Sequence, residues 1–261
     1  FLLFDLIFFM FETNMKYCAL LIAALVACTL AEEVPLDLSR VIGGTAASSG
    51  EFPYIVSLRS SANSHFCGGS IISNYYIITA AHCVTGRTAA NTIVVAGTNT
   101  LNSGGTRYAV SRIVVHSGYS SSTIRNDIAL LRLSSPITYT TLQQRITLPS
   151  QGETPATSAV AAGWGYASYP ATSLPNNLQK VSLSIISNSQ CSLYMGNIFT
   201  TSVCASGGNG RGVCNGDSGG PLVAGGKLVG LVSWGRPCAV GFPDVYTRVA
   251  EYISWINQNA V

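Results

Sequence analysis

The sequence predicts an all-β fold, and three observations carry that expectation. Short β-branched runs recur along the chain, among them YYIITAA at 75–81, TIVVAG at 92–97 and KLVGLVSW at 227–234. Each has the length of a strand rather than that of an ordinary helix. Between such runs lie 26 Gly and abundant Ser and Thr, the residues from which turns are built. The composition, 48% hydrophobic and only 10% charged over 261 residues, excludes disordered and coiled-coil classes and leaves chain enough for one large β domain or two small ones. One helix is expected at the C-terminus, where Val249, Tyr252, Ile253 and Ile256 recur at helical spacing.

The N-terminal region is set aside from the fold. Met15 and Lys16 are followed by YCALLIAALVACTLA: a basic start, a short apolar core and a Thr29-x-Ala31 cleavage pattern. Residues 15–31 therefore read as a secretory signal, and the protein as secreted and extracellular. Residues 1–14 read as an upstream extension outside the mature protein. A membrane anchor over residues 1–30 is the alternative, but Asp5, Glu12, Asn14 and Lys16 interrupt its apolar run, so no membrane partner is expected. Export changes how the cysteines are read. Cys18 and Cys28 lie in the signal, leaving Cys67, Cys83, Cys191, Cys204, Cys214 and Cys238, an even number that predicts three disulfides without choosing their pairing. No C-x-x-C pair or His cluster supports a metal site. The net charge of +3 is modest and its cations are scattered, which disfavours a nucleic-acid partner.

Three short motifs carry the chemistry. TAAHC at 79–83 sets His82 beside a cysteine, NDIALLRL at 126–133 sets Asp127 at the head of an apolar strand, and GDSGGP at 216–221 offers Ser218 among glycines. A hydroxyl is a poor nucleophile at neutral pH and needs a base that titrates nearby, a role for the His82 imidazole. That imidazole in turn needs a carboxylate to fix its tautomer and stabilise its cation, a role for Asp127. The oxyanion that forms on attack needs preformed donors, and the backbone N–H groups of Gly216 and Ser218 are placed to supply them.

Taken with VIGG (41–44), FCGGSII (66–72), AAGWG (161–165), VSWG (232–235) and PDVYTRV (243–249), these motifs resemble the chymotrypsin-like serine peptidases in order and approximate spacing. The resemblance covers residues 41–261. It implies two six-stranded antiparallel β-barrels dividing near residues 142–150, with the active site between them and a short C-terminal helix. It also implies disulfides Cys67–Cys83, Cys191–Cys204 and Cys214–Cys238, protein or peptide substrates, a monomer and no cofactor. The span Gly86–Asn126 contains no Asp or Glu, so the acidic calcium loop of many relatives of this kind is not expected.

The same resemblance bears on activation and specificity. EEVPLDLSR at 32–40 is read as a propeptide. Cleavage after Arg40 by a trypsin-like protease would free the Val41 ammonium to pair with Asp217. A pocket residue that is Asp in trypsin-like members is Gly212 here, followed by Val213, while Asp244 stands where the usual pattern has Gly. Gly212 with Asp244 resembles the crustacean serine collagenases, or brachyurins, and some insect chymotrypsins. Ser233, Trp234 and Gly235 complete the expected substrate-binding set, with Gly235 leaving a wide entrance. The expectation is a chymotrypsin-like or broad brachyurin-like endopeptidase of a digestive or venom kind. The competing class is a catalytically idle homologue that acts as a binding protein, against which stands the retention of His82, Asp127 and Ser218.

Overall fold

The computed structural model describes residues 42–167, 173–236 and 238–261. The expected signal, the propeptide, Arg40 and Val41 lie outside the described residues. The strands are β1 (Thr45–Ala46), β2 (Ile55–Arg59), β3 (His65–Ile71), β4 (Tyr76–Thr79), β5 (Ile93–Ala96), β6 (Thr106–Val115), β7 (Ala129–Leu133), β8 (Ser158–Gly163), β9 (Gln179–Ile186), β10 (Ser202–Ser206), β11 (Pro221–Ala224), β12 (Lys227–Trp234) and β13 (Asp244–Arg248). Among the described residues three α-helices punctuate them: α1 (Ala81–Val84), α2 (Asn188–Met195) and α3 (Ile253–Asn259).

The strands form two closed six-stranded antiparallel barrels. The first runs β2-β3-β4-β7-β6-β5 and closes through β2 against β5. The second runs β9-β10-β13-β12-β11-β8 and closes through β8 against β9. Closure removes the exposed edges on which sheets aggregate. The short β1 lies on the outside of the second barrel, with Thr45 opposite Lys180. From β1 on the second barrel the chain thus builds the first barrel and returns through residues 134–157.

Side-chain alternation explains the cores. In β6, Tyr108 and Val110 point inward while Arg107, Ala109 and Ser111 face solvent, and an irregularity between Val110 and Arg112 bends the strand. Strands β2, β4 and β7 are buried along most of their length, and Leu58, Ile77, Ile78, Leu130, Leu131 and Leu133 are fully enclosed in one core. A second core fills the other barrel around Ala161, Val181, Leu183, Leu222 and Tyr246. The three disulfides are Cys67–Cys83, Cys191–Cys204 and Cys214–Cys238, the pairing implied by the resemblance. The C-terminal helix starts later than its apolar spacing predicts. Val249–Glu251 forms a 3₁₀ turn, and α3 begins at Ile253, with Val249, Tyr252 and Ile256 all packed into the first core.

Among the described residues no helix is long and apolar enough to cross a membrane. Because Leu131 is wholly buried at the centre of the first barrel, Leu131→Ala should cost about 2–5 kcal/mol. Urea unfolding should show this as a lower midpoint at an unchanged slope.

Candidate active site

Asp127 is carried into the interior by an unusual backbone turn. Asn126 before it adopts φ +54, a left-handed conformation that Asn tolerates better than most residues. The Asn126 amide donates to the Gly118 carbonyl at 2.7 Å, and its oxygen accepts from the Tyr252 hydroxyl at 2.9 Å. So held, Asp127 heads β7 with only 1% of its surface exposed. Its Oδ1 accepts from the His82 backbone N–H at 2.8 Å, and its Oδ2 lies 2.8 Å from His82 Nδ1. The Ser233 hydroxyl donates to the same Oδ2 at 2.6 Å, and the Asp127 carbonyl accepts from the Thr247 hydroxyl at 2.7 Å.

The arrangement fixes the imidazole chemically. A carboxylate can only accept, so His82 Nδ1 carries the proton and Nε2 is left with a lone pair. An imidazole in that state takes a proton at Nε2 while the carboxylate stabilises the cation formed. His82 sits in α1, one turn beyond β4, and its side chain is 29% exposed. Cys83 Sγ, part of the bridge to Cys67, lies 3.8 Å from Nε2. Cys67, His82 and Cys83 are close enough to share a metal ion, but both sulfurs are committed to the disulfide.

The loop bearing Ser218 is pressed against the first barrel through glycines. Gly68 N–H donates to the Ser218 carbonyl at 2.8 Å. A Cβ on Gly68 would come within 2.9 Å of the Gly220 Cα, and one on Gly219 would drive into Thr79 and lie 3.0 Å from the Ala80 nitrogen. These contacts bring the Ser218 loop against the end of β4, three residues before His82. Among the described residues no hydrogen bond joins the Ser218 hydroxyl to His82, a contact that commonly tightens only when substrate is bound. Gly216 has φ +101, a conformation that strongly favours glycine.

A second histidine, which the motifs did not single out, buttresses this loop. His65 Nε2 lies 2.9 Å from the Gly216 carbonyl and Nδ1 lies 2.8 Å from the Ser57 hydroxyl. The carbonyl can only accept, so Nε2 carries the proton and Nδ1 accepts from Ser57. Ser57 in turn accepts from Arg59 Nε at 2.9 Å. Burial, reinforced by the Arg59 charge and only partly offset by the Gly216 bond, pulls the His65 pKa down to about 4. This histidine is therefore neutral at physiological pH and acts as a strut. Its place at the head of β3, directly before FCGG, was the only signal in the sequence.

Two more buried carboxylates lie behind the loop. Asp217, 1% exposed, accepts from Gly165 N–H at 2.7 Å and from Cys214 N–H at 2.9 Å. Burial nevertheless raises its pKa to about 6. Nearby, the Gly212 N–H donates to the Ile42 carbonyl at 3.2 Å, so the residue after Val41 is docked beside this loop. Asp244, 6% exposed, accepts at Oδ2 from Val213 N–H at 3.0 Å. A Cβ on Gly212 would meet that Oδ2 at 2.7 Å, and a Cβ on Gly235 would meet Oδ1 at 3.0 Å. The Asp244 carboxyl thus fills the space between the two glycines. Trp234, partly buried, packs beside Val245, and the Ser233 side chain is turned toward Asp127.

The family profile described as Trypsin matches residues 41–256. The chain belongs to the trypsin family. It is 41% identical over 256 residues to trypsin delta of Drosophila melanogaster, covering 94% of this chain and the whole of that protein. It is 43% identical to chymotrypsin-2 of Vespa crabro, covering 84% of this chain and 99% of the relative. With trypsin Blo t 3 of Blomia tropicalis the identity is 45%, over 85% of this chain and 86% of the relative. The protein is accordingly a serine endopeptidase, a hydrolase of the trypsin family that acts on protein substrates.

Burial, opposed by the Val213 hydrogen bond and reinforced by the Asp217 charge, raises the Asp244 pKa to about 7. In the unfolded chain it returns to about 3.9. Between those values the native state holds a proton that the unfolded state has lost, so stability falls as pH rises through this window. Relative to Asp244→Asn, the wild-type protein should lose stability from about pH 4 to about pH 7 and then level off. Urea midpoints of the two proteins measured across that range provide the check.

Proposed function

We propose that this peptidase is secreted as a zymogen and, once cleaved after Arg40, hydrolyses peptide bonds with chymotrypsin-like or broad brachyurin-like specificity. In this reading residues 1–14 are an upstream extension, 15–31 the signal, 32–40 the propeptide and 41–261 the peptidase domain, which works as a monomer. Ser218 is the nucleophile, His82 its base and Asp127 the group that orients and stabilises His82. Gly216 and Ser218 N–H groups receive the oxyanion. The observation that carries this assignment is the pair of 2.8 Å contacts from Asp127 to His82, which leave Nε2 as the base.

Activation follows from the cost of burying charge. Asp217 has two neutral donors among the described residues, and burial still raises its pKa; a carboxylate so placed is stabilised by a cation. The docked Ile42 carbonyl supports the reading that the Val41 ammonium supplies it. Specificity rests on Asp244. The floor where Gly212 contributes no side chain is bounded by the Asp244 carboxyl, and Gly235 leaves room for large side chains. Such a pocket takes aromatic and aliphatic residues before the scissile bond, and basic ones when the carboxylate is charged. Relatives named trypsin and chymotrypsin are similar to the chain at 41–45% identity, so breadth must be decided by the pocket and not by overall likeness.

Two outcomes are expected. Arg40→Gln should leave the secreted precursor inert to trypsin treatment, with N-terminal sequencing finding no Val41 terminus, whereas the wild type gains activity. Asp127→Asn should retain the fold and lose about four orders of magnitude in kcat, because the amide no longer holds the imidazole in the tautomer that leaves Nε2 free. An Asp127→Asn enzyme with near-normal turnover would overturn the assigned base.

A further inference from the structure

The chemistry of the pocket floor is incomplete in a way that makes it sensitive to protons. Asp244 Oδ2 has one neutral donor, the Val213 N–H at 3.0 Å, whereas an ionised carboxylate offers about four acceptor sites. Oδ1, on the Gly235 side, has no hydrogen bond among the described residues. The other polar group at this depth, the Tyr246 hydroxyl, is buried without a partner. It belongs to the same strand, and the Asp244 and Asp217 charges add to burial in holding it neutral.

No fixed cation offsets these groups among the described residues. Of the elements packed against Asp244, the loop 212–217 contributes Asp217, whose charge opposes ionisation of Asp244. Strand β10, where Ala205 is its partner, brings no titratable side chain, and the one that β12 carries, Lys227, stands at the end of the strand away from Asp244 and pairs with Glu153. Arg211 and Arg236 flank Gly212 and Gly235 in sequence but turn elsewhere. The Arg211 side chain lies against Gly43 and Gly207, and the Arg236 guanidinium stacks over Phe242 at 4.6 Å. Cys214 and Cys238 are joined to each other.

We propose that the protonation of Asp244 switches the pocket between two substrate classes, taking apolar and aromatic side chains when the carboxyl is neutral and Lys or Arg when it is ionised. This rests on the reading of Asp244 as the pocket floor. A neutral carboxyl is a tolerable wall for Phe or Leu because it buries no charge, and its O–H can be satisfied locally. Once ionised, the same group is under-solvated, and a substrate ammonium or guanidinium supplies the partner that the protein withholds. The peptidase would thus cut different bonds on the two sides of neutrality. The step involves a proton exchanged with water and no other reactant.

The test uses the full chain activated by immobilised trypsin, which is then removed. kcat/KM is measured on matched peptides differing only in Lys or Leu before the scissile bond, from about pH 5.5 to about pH 8.5. Because kcat/KM reports the free enzyme, the Lys/Leu ratio cancels His82 and any group shared by both substrates. The ratio should rise at least about tenfold, the effect of one unit of differential interaction, and in Asp244→Asn it should be low and flat. Should Asp244→Asn not fold, Asp244→Gly serves as the same control.

A flat ratio with Lys cleaved throughout, and lost in the variant, would sink the switch but leave Asp244 as the partner of basic side chains. No Lys cleavage at any pH would overturn the switch and that reading together. A rise that persists in the variant would assign the titration to another group and also overturn the switch.

Discussion

Asp127 is where the two barrels are registered against each other. It belongs to the first barrel, yet the hydroxyl that donates to its carboxylate, Ser233, and the one that donates to its backbone carbonyl, Thr247, come from β12 and β13 of the second. The His82 backbone and ring complete the set from the first barrel. A buried carboxylate left without these donors would cost several kcal/mol, so the barrels are driven toward the one arrangement that supplies them. That arrangement also orients the imidazole. The same set of bonds satisfies the carboxylate and orients the ring, and the glycine contacts between the Ser218 loop and β3 set how close Ser218 lies to the first barrel.

Three buried aspartates form a graded series. Asp127 receives three side-chain or backbone donors at its carboxylate, Asp217 receives two and Asp244 one among the described residues. Hydrogen bonds to the charged form favour ionisation, and burial opposes it. The order agrees with the pKa of about 6 at Asp217 and about 7 at Asp244. In the proposed reading an N-terminal ammonium fills the deficit at Asp217 and a substrate cation fills the one at Asp244.

Much of the site was legible because its chemistry demands particular residue types in short, fixed contexts. TAAHC, NDIALLRL and GDSGGP supply the residue types that a base, its orienting acid and a nucleophile require, and the structure brings His82 and Asp127 into contact. Two features were not read. Helix α2 has a mixed surface without a clear apolar stripe, although Ser187 and Gln190 form a reciprocal cap at its start, a pattern visible in the sequence as Ser-x-x-Gln. His65 was missed because a lone histidine beside FCGG carries no partner in sequence; Ser57 lies eight residues away and Gly216 lies 151 away.

The sequence by itself determined the all-β class, the His, Asp and Ser of the three motifs, the six cysteines outside the N-terminal apolar segment and the presence of Gly212 and Asp244, because each is local or a matter of composition. Tertiary structure alone decided that Asp244 occupies the gap between Gly212 and Gly235 with a single donor, that Ser233 turns to Asp127, and that His65 is a neutral strut. These depend on how many hydrogen bonds reach a buried group from strands distant in the chain. Spacing along a sequence does not specify that number, because it is set when the two barrels close and pack.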